Sequence, residues 1–129
     1  MTLAFWCVVI SGLLPLGGTA AAKWGFKGFD NHNPRDWLSK QTGTRARGIA
    51  AEKNSHESFP FFAAAVLMAH ITVGPQTLVD SLAAVYVVAR VLYLVAYLMD
   101  WAGFRTLVWL VGLLATVAIA TAGAWLAPV

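Results

Sequence analysis

The sequence predicts an all-α integral membrane protein, a four-helix bundle that crosses the bilayer several times. Hydrophobic residues make up 59% of the 129 residues and charged residues only 12%, whereas soluble domains contain about 45–50% apolar and about 25% charged residues. The apolar residues form four blocks, each close to the roughly 20 residues that a helix needs to span a bilayer. Apolarity within the blocks is continuous rather than alternating, which argues against membrane-spanning strands. We therefore predict one transmembrane domain, residues 1–129.

The four spans are predicted from these blocks in order, at about residues 2–22, 57–75, 78–99 and 105–127. The first block carries no charge. Its small residues at 19–22 also suit a cleaved signal peptide, but the basic amino-terminal region of such a peptide is missing and the block is long, so we predict a retained span. Between residues 81 and 99 the third block carries a single charge, Arg90.

The connection between the first two spans, a loop predicted at about residues 23–55, contains most of the basic residues. Seven of the nine Lys and Arg residues lie there, namely Lys23, Lys27, Arg35, Lys40, Arg45, Arg47 and Lys53. Because basic loops remain on the cytoplasmic side, we expect this loop in the cytoplasm. The composition fits a bacterial inner membrane, which we predict, with an organellar membrane as the alternative. The positive charge thus indicates topology, and no nucleic-acid partner is expected.

Metal and disulfide chemistry is not expected from this sequence. Its one cysteine, Cys7, excludes an intrachain disulfide and a CxxC motif,. His56 and His70 have no partner at the spacing of metal ligands, so we predict no metal site and interpret both as hydrogen-bonding residues.

Polar and ionisable side chains stand where the second apolar block begins. Asn54 and Glu57 are three residues apart, so a helix places them on one face,. The run from residue 59 to residue 73 that follows holds no Asp, Glu, Lys or Arg. A carboxylate at such a boundary is costly unless it has a partner, and this pattern therefore predicts a site.

The third block supplies a second polar stripe, since Arg90, Tyr93 and Tyr97 are spaced to share one helical face,. An arginine inside a span costs at least a few kcal/mol unless it is paired or hydrated. One interpretation is an ion pair between Arg90 and Glu57 that holds two helices together. The other is a site where the stripe, Asn54 and Glu57 bind an anionic small molecule that enters from the cytoplasm. The two are compatible.

These residues carry a resemblance to a known family. The segment RARGIAAEKNSHESFPFFAAA at residues 45–65, followed by Arg90, Tyr97 and Arg105, resembles the MAPEG superfamily, the membrane-associated proteins in eicosanoid and glutathione metabolism. Its most specific part is Asn-x-x-Glu-x-x-Pro at 54–60 combined with Arg-x6-Tyr at 90–97. The resemblance covers essentially the whole chain and is to a bacterial-type member.

The resemblance implies a homotrimer of four-helix subunits, with glutathione bound between neighbouring subunits. Asn54 and Glu57 are then expected to hold polar groups of glutathione, Arg90 to meet a carboxylate, and Tyr93 or Tyr97 to donate a hydrogen bond nearby. Arg105 matches the arginine that stabilises the glutathione thiolate in active family members, and is the expected catalytic residue. A guanidinium suits this role because it stays charged, and a nearby cation lowers the pKa of a thiol.

The sequence also departs from the family pattern on the second span. Ala50 stands where many family members have an arginine, and Glu52 where a histidine is common. Arg47 and Lys53 are the nearby basic residues that could replace the missing arginine as glutathione ligands.

Two functions follow from the resemblance. The first is a membrane-bound glutathione transferase or peroxidase whose partners are the bilayer and a lipophilic electrophile or hydroperoxide. The alternative is a non-catalytic member that serves as a ligand-binding or assembly subunit of a larger membrane complex. The departures at Ala50 and Glu52 favour the alternative. The retained polar stripe favours the enzyme, because a scaffold gains little from such costly groups.

Overall fold

The computed structural model describes residues 1–24 and 28–125. Over these residues the secondary structure is helical without strands, which confirms the predicted all-α class. The helices are α1 (Leu3–Leu13), α2 (Pro15–Lys23), α3 (Pro34–Ser39), α4 (Gly43–Ile71), α5 (Gln76–Leu98) and α6 (Ala102–Trp125). Lys27 of the basic loop and the last two residues of the predicted fourth span, 126 and 127, lie outside the described residues.

The first predicted span is built from α1 and α2. Thr2 caps α1, since its hydroxyl accepts a hydrogen bond from the Phe5 amide at 3.3 Å. Pro15 begins α2, where a missing amide hydrogen does no harm, and it separates the two helices,. Together Leu3–Lys23 is long and apolar enough to cross a membrane.

The helix that contains the second predicted span begins well inside the predicted loop. We expected a loop at 23–55 and a span at 57–75, but α4 begins at Gly43 and ends at Ile71, and the loop also contains α3. The helix starts early because the residues before Glu57 include several strong helix formers, Ala, Arg, Glu and Lys,. It ends before Val73, whose φ is 55°, and Pro75, which cannot continue a helix.

Three stretches are long and apolar enough to cross a membrane, Leu3–Lys23, Gln76–Leu98 and Ala102–Trp125. They make the chain a multi-pass integral membrane protein. With 29 residues, α4 is about 43 Å long, which exceeds the roughly 30 Å of a hydrocarbon core,. By the same measure no stretch of α4 qualifies as a span, because its polar residues extend as far as Glu57. A crossing by its second half stays a prediction.

The core of the bundle lies where α4, α5 and α6 meet α1. Phe62 and Tyr86 stack with ring centroids 3.8 Å apart, and both are buried. Nearer the polar end, α2 and α4 touch through glycines, since a Cβ on Gly18 would lie 2.5 Å from the Gly48 carbonyl oxygen. Small residues allow this close approach of helices, which is typical of membrane bundles. This packing holds the polar half of α4 against the bundle.

Candidate functional site

Arg90 of α5 lies at the centre of the polar cluster. Its side chain is only 4% exposed, and Nη2 donates to Asn54 Oδ1 at 2.8 Å and to Ser55 Oγ at 3.3 Å. The guanidinium also lies over the Tyr93 ring, 4.3 Å from its centroid. Both hydrogen-bond acceptors are neutral. The buried positive charge is therefore solvated by polar groups and a ring without being neutralised by them.

The ion pair between Glu57 and Arg90 does not form, so that interpretation is wrong for this structure. The salt bridges of the described residues are Lys40 with Asp36 and His56 with Glu52. Asn54 and Ser55 contact Arg90 from one turn earlier on α4, while the Glu57 side chain is exposed. The carboxylate nevertheless lines the same cavity as Arg90.

A line of rings and cations continues along α5 towards α6. Tyr93 and Tyr97 meet edge to face with centroids 5.6 Å apart, and the Arg105 guanidinium lies over the Tyr97 ring at 4.3 Å from its centroid. Cation–π contacts of this kind are worth about 0.5–1 kcal/mol when exposed and more when desolvated. The structure thus connects Arg90 to Arg105 through two tyrosines, and all four are residues that the sequence singled out.

Two adjoining cavities between α4, α5 and α6 form the cleft. The deeper one has a volume of about 260 Å³ and is lined by Asn54, Glu57, Ser58, Phe61, Arg90, Trp109, Gly112, Leu113 and Thr116. The second has about 220 Å³ and is lined by Asn54, Tyr93, Arg105, Thr106 and Trp109. Asn54 and Trp109 line both, so Arg90 and Arg105 stand at the two ends of one cleft.

Three of the predicted ligands, Tyr97, Arg47 and Lys53, line neither cavity of the cleft. Tyr97 still adjoins it through its contacts with Tyr93 and Arg105. Arg47 donates to Thr44 Oγ1 at 3.0 Å and lines neither cavity. It shares a helical face with Asn54 but lies two turns earlier, about 10 Å along the axis. Lys53 lines a different groove, between α3 and α4. Glutathione binding by Arg47 or Lys53 stays an untested prediction.

Several residues of the site were not predicted. Ser55 bonds Arg90, and the hydroxyls of Ser58 and Tyr86 share a hydrogen bond at 2.7 Å. On α6, Trp109 and Thr116 line the cleft together with Arg105. The signal was present for α6, since residues 105, 109, 112 and 116 follow the helical repeat from Arg105 onwards. Ser55 gave no such signal, because its position is one residue off the face of Asn54 and Glu57.

The cleft combines two guanidinium groups, one carboxylate and several neutral hydrogen-bonding groups at the polar end of a membrane bundle. This set suits a small molecule that carries both negative and positive charge. Within the described ranges, no group of three or more His, Cys, Asp or Glu side chains could hold a metal ion.

The helical fold and the cleft define a multi-pass membrane protein with an internal polar site. The model of the MAPEG family matches residues 3–125, and the chain belongs to this family. No curated protein and no solved structure gave a significant match.

Proposed function

We propose that the protein is a membrane-bound glutathione transferase or peroxidase that acts on lipophilic electrophiles or hydroperoxides. The observation that carries this proposal is the buried Arg90, which has neutral partners and lines a cavity together with Glu57. A buried charge is stable only when it is paired or well solvated, and an incoming carboxylate would complete its pairing.

Glutathione carries groups complementary to those of the cleft, namely carboxylates for the guanidinium groups, an ammonium for the Glu57 carboxylate and a thiol for Arg105. The proposed pose places one carboxylate at Arg90, the ammonium at Glu57 and the amide groups near Asn54. The thiol then lies towards Arg105, at the other end of the cleft, and Tyr93 lies between the two arginines along α5. Family membership supports this assignment, since the MAPEG family includes glutathione transferases and peroxidases.

The proposed chemistry depends on the glutathione thiolate. Arg105 stabilises the negative charge on sulfur and so raises the reactive fraction near neutral pH. In conjugation, the thiolate forms a carbon–sulfur bond with the electrophile, and the electron pair moves to a leaving group or an adjacent atom that is then protonated. In peroxide reduction, the thiolate attacks the terminal oxygen, the alcohol leaves, and a second glutathione converts the sulfenic acid to the disulfide and water.

The lipophilic substrate would arrive from the bilayer, because the outer face of α6 is apolar. Leu107, Leu110 and Leu114 are exposed there, and Trp109 lies between this face and the cleft. We further propose the homotrimer that family resemblance implies, with the basic segment on the cytoplasmic side.

One observation favours the alternative, a non-catalytic member that binds a ligand or assembles with a larger membrane complex. The first turns of α4 bring no basic side chain into the cleft, since Ala50 replaces an arginine and Arg47 lies too far along the helix. A second carboxylate of glutathione would then lack a cationic partner from α4.

The test is glutathione binding to the purified, detergent-solubilised protein, followed by the ultraviolet absorbance of the bound thiolate. We expect saturable binding and a thiol pKa lowered by roughly one to two units, because a nearby guanidinium favours the anion. Arg105→Ala should still bind glutathione but lose the thiolate signal. Lys40→Ala is the control, because Lys40 is an exposed cation that pairs with Asp36 and lines neither cavity, and it should keep both. Absence of glutathione binding would contradict the proposed enzyme function and favour the non-catalytic alternative.

A further inference from the structure

The end of α2 and the first turns of α4 lie side by side at one edge of the bundle. A Cβ on Gly48 would lie 2.8 Å from the Gly18 carbonyl oxygen and 3.1 Å from the Ala22 amide nitrogen, so the helices touch as far as the last turn of α2. Arg45 is nearly one turn before Gly48, and its Nη2 donates to the Trp24 carbonyl oxygen at 3.4 Å,. The contact thus holds a cation of α4 at the carbonyl end of α2.

The membrane boundary falls at the same edge. The stretch Leu3–Lys23, which is long and apolar enough to cross a membrane, ends there. Trp24 follows it directly and is 82% exposed, and tryptophans next to a span gather at the level of the lipid headgroups. Lys23 and Arg45 are therefore placed at the height of the lipid phosphates.

Positive charge is concentrated in the segment that contains this edge. Residues 23–47 include six of the nine Lys and Arg residues and two of the six Asp and Glu residues, which gives a net charge of +4. The whole chain has a formal net charge of +3, so the remaining residues are slightly negative together. Clusters of four to eight Lys and Arg residues immediately outside a membrane helix bind anionic lipids.

Lys23 and Lys40 of this segment differ in how their charges are held. Lys40 pairs with Asp36 at 2.8 Å. Lys23 Nζ lies over the Phe29 ring, 4.6 Å from its centroid, and the salt bridges of the described residues join other side chains. The carbonyl end of α2 offers roughly half an elementary negative charge, less than the full charge of Lys23. An anion from outside the chain would complete the balance of charge at Lys23.

We propose that this edge, formed by Lys23, Trp24 and Arg45, binds an anionic phospholipid, one whose headgroup carries a net negative charge. Its phosphate would accept charge-assisted hydrogen bonds from Lys23 and Arg45, with the Trp24 indole among the headgroups. A zwitterionic lipid offers the same phosphate but also brings an ammonium towards two cations, which repel it. The three residues line neither cavity of the cleft nor the groove between α3 and α4, and the inference does not rest on the proposed glutathione chemistry.

The experiment is native mass spectrometry of the full chain after exchange into vesicles with equal amounts of phosphatidylglycerol and phosphatidylcholine with matched acyl chains. We expect phosphatidylglycerol to be retained in at least about fivefold excess, and Lys23→Gln to lower this excess about fivefold, the effect of one basic residue at an anionic membrane surface. Lys23→Gln/Arg45→Gln should abolish the preference. Because Arg45 also bonds α2, the single variant tests the proposal even if the double variant fails to fold.

Lys40→Gln is the matched control, a lysine of the same segment that already has a carboxylate partner. It should leave the lipid ratio unchanged. An equal fall in Lys40→Gln and Lys23→Gln would overturn the proposal, because general attraction to the whole segment would then explain both. Equal retention of the two lipids by the unmodified protein would also overturn it, and is the result expected if a second copy of the chain covers this edge.

Glutathione binding is measured in the same variants and should not change. A Lys23→Gln variant that loses glutathione affinity but keeps its lipid preference would overturn the lipid site and leave the glutathione proposal standing. Failure of the chain to bind glutathione, with the lipid preference intact, would have the opposite meaning. The two proposals can therefore fail independently.

Discussion

The two ends of the cleft hold their arginines in different ways. Arg90 is buried, bonded to two side chains of α4 and stacked on Tyr93. Arg105 is half-buried and lies over the ring of Tyr97. A cation fixed by hydrogen bonds is preorganised to receive a ligand, whereas one held mainly by a ring can adjust as charge develops on a reacting atom. We therefore expect the Arg90 end to bind the ligand and the Arg105 end to carry the proposed reaction.

The largest expected effect is on turnover, through Arg105→Ala. We expect the rate of glutathione conjugation or peroxide reduction to fall by about 10²–10³, the usual effect of removing one group that stabilises developing charge. The affinity for glutathione and the unfolding temperature should change little, because Arg105 is partly exposed. Steady-state kinetics measures the rate and the apparent affinity, and thermal unfolding measures the unfolding temperature. A variant that loses affinity and keeps its rate would reverse the assignment of the two ends.

The next effect is on affinity, through Arg90→Met, which keeps much of the volume and removes the guanidinium. We expect glutathione affinity to fall by about 2–3 kcal/mol, the loss typical of a buried charged pair. Calorimetric titration measures this change. Asn54 and Ser55 also lose their partner, so a small loss of thermal stability should accompany it. Unchanged affinity would show that the ligand carboxylate does not reach Arg90.

A smaller effect is expected at the Tyr97 ring, which tests whether it positions Arg105. Tyr97→Leu removes the cation–π contact. We expect it to raise the activation free energy by about 0.5–1 kcal/mol and so to lower turnover roughly two- to fivefold. Tyr97→Phe keeps the ring and should behave as wild type. If both variants lose activity equally, the hydroxyl rather than the ring is the functional group. That result would agree with the hydrogen-bonding role that the family resemblance implies.

The smallest effect on the proposed chemistry is expected from a change in the packing beneath the Arg90 end. Tyr86→Phe removes the hydrogen bond with Ser58 and keeps the ring that stacks on Phe62. We expect a loss of about 1 kcal/mol in stability and no change in the thiolate absorbance at the Arg105 end. Chemical unfolding in mild detergent gives the first quantity. A change in thiolate absorbance would mean that the two ends are coupled through α5.

The sequence predicted the face of α5 well and the start of α4 poorly, for different physical reasons. Helical periodicity fixes which side chains share a face, so the stripe of Arg90, Tyr93 and Tyr97 could be read from spacing alone. Apolarity marks where lipid begins rather than where a helix begins, and α4 therefore starts 14 residues before the predicted span at residue 57.

The contacts between side chains of different helices were harder to predict from the sequence. The spacing placed Asn54 and Glu57 on one face, yet it could not rank which of them contacts Arg90. The choice depends on the relative height of α4 and α5, which the packing of Phe62 on Tyr86 sets and the sequence does not express. Helical periodicity indicates which residues of α6 share a face with Arg105. The sequence does not show that this face lines the cleft.

The contact between Gly18 and Gly48 has a consequence for how this sequence can change over time. The atoms that an added methyl group would meet on Gly18 include the Gly48 carbonyl oxygen and the Glu52 amide nitrogen, and on Gly48 the Gly18 carbonyl oxygen. Main-chain atoms cannot turn aside as a flexible side chain does. A mutation at either glycine therefore has no single compensating partner elsewhere in the chain, and both positions should drift far less than the exposed apolar residues around them.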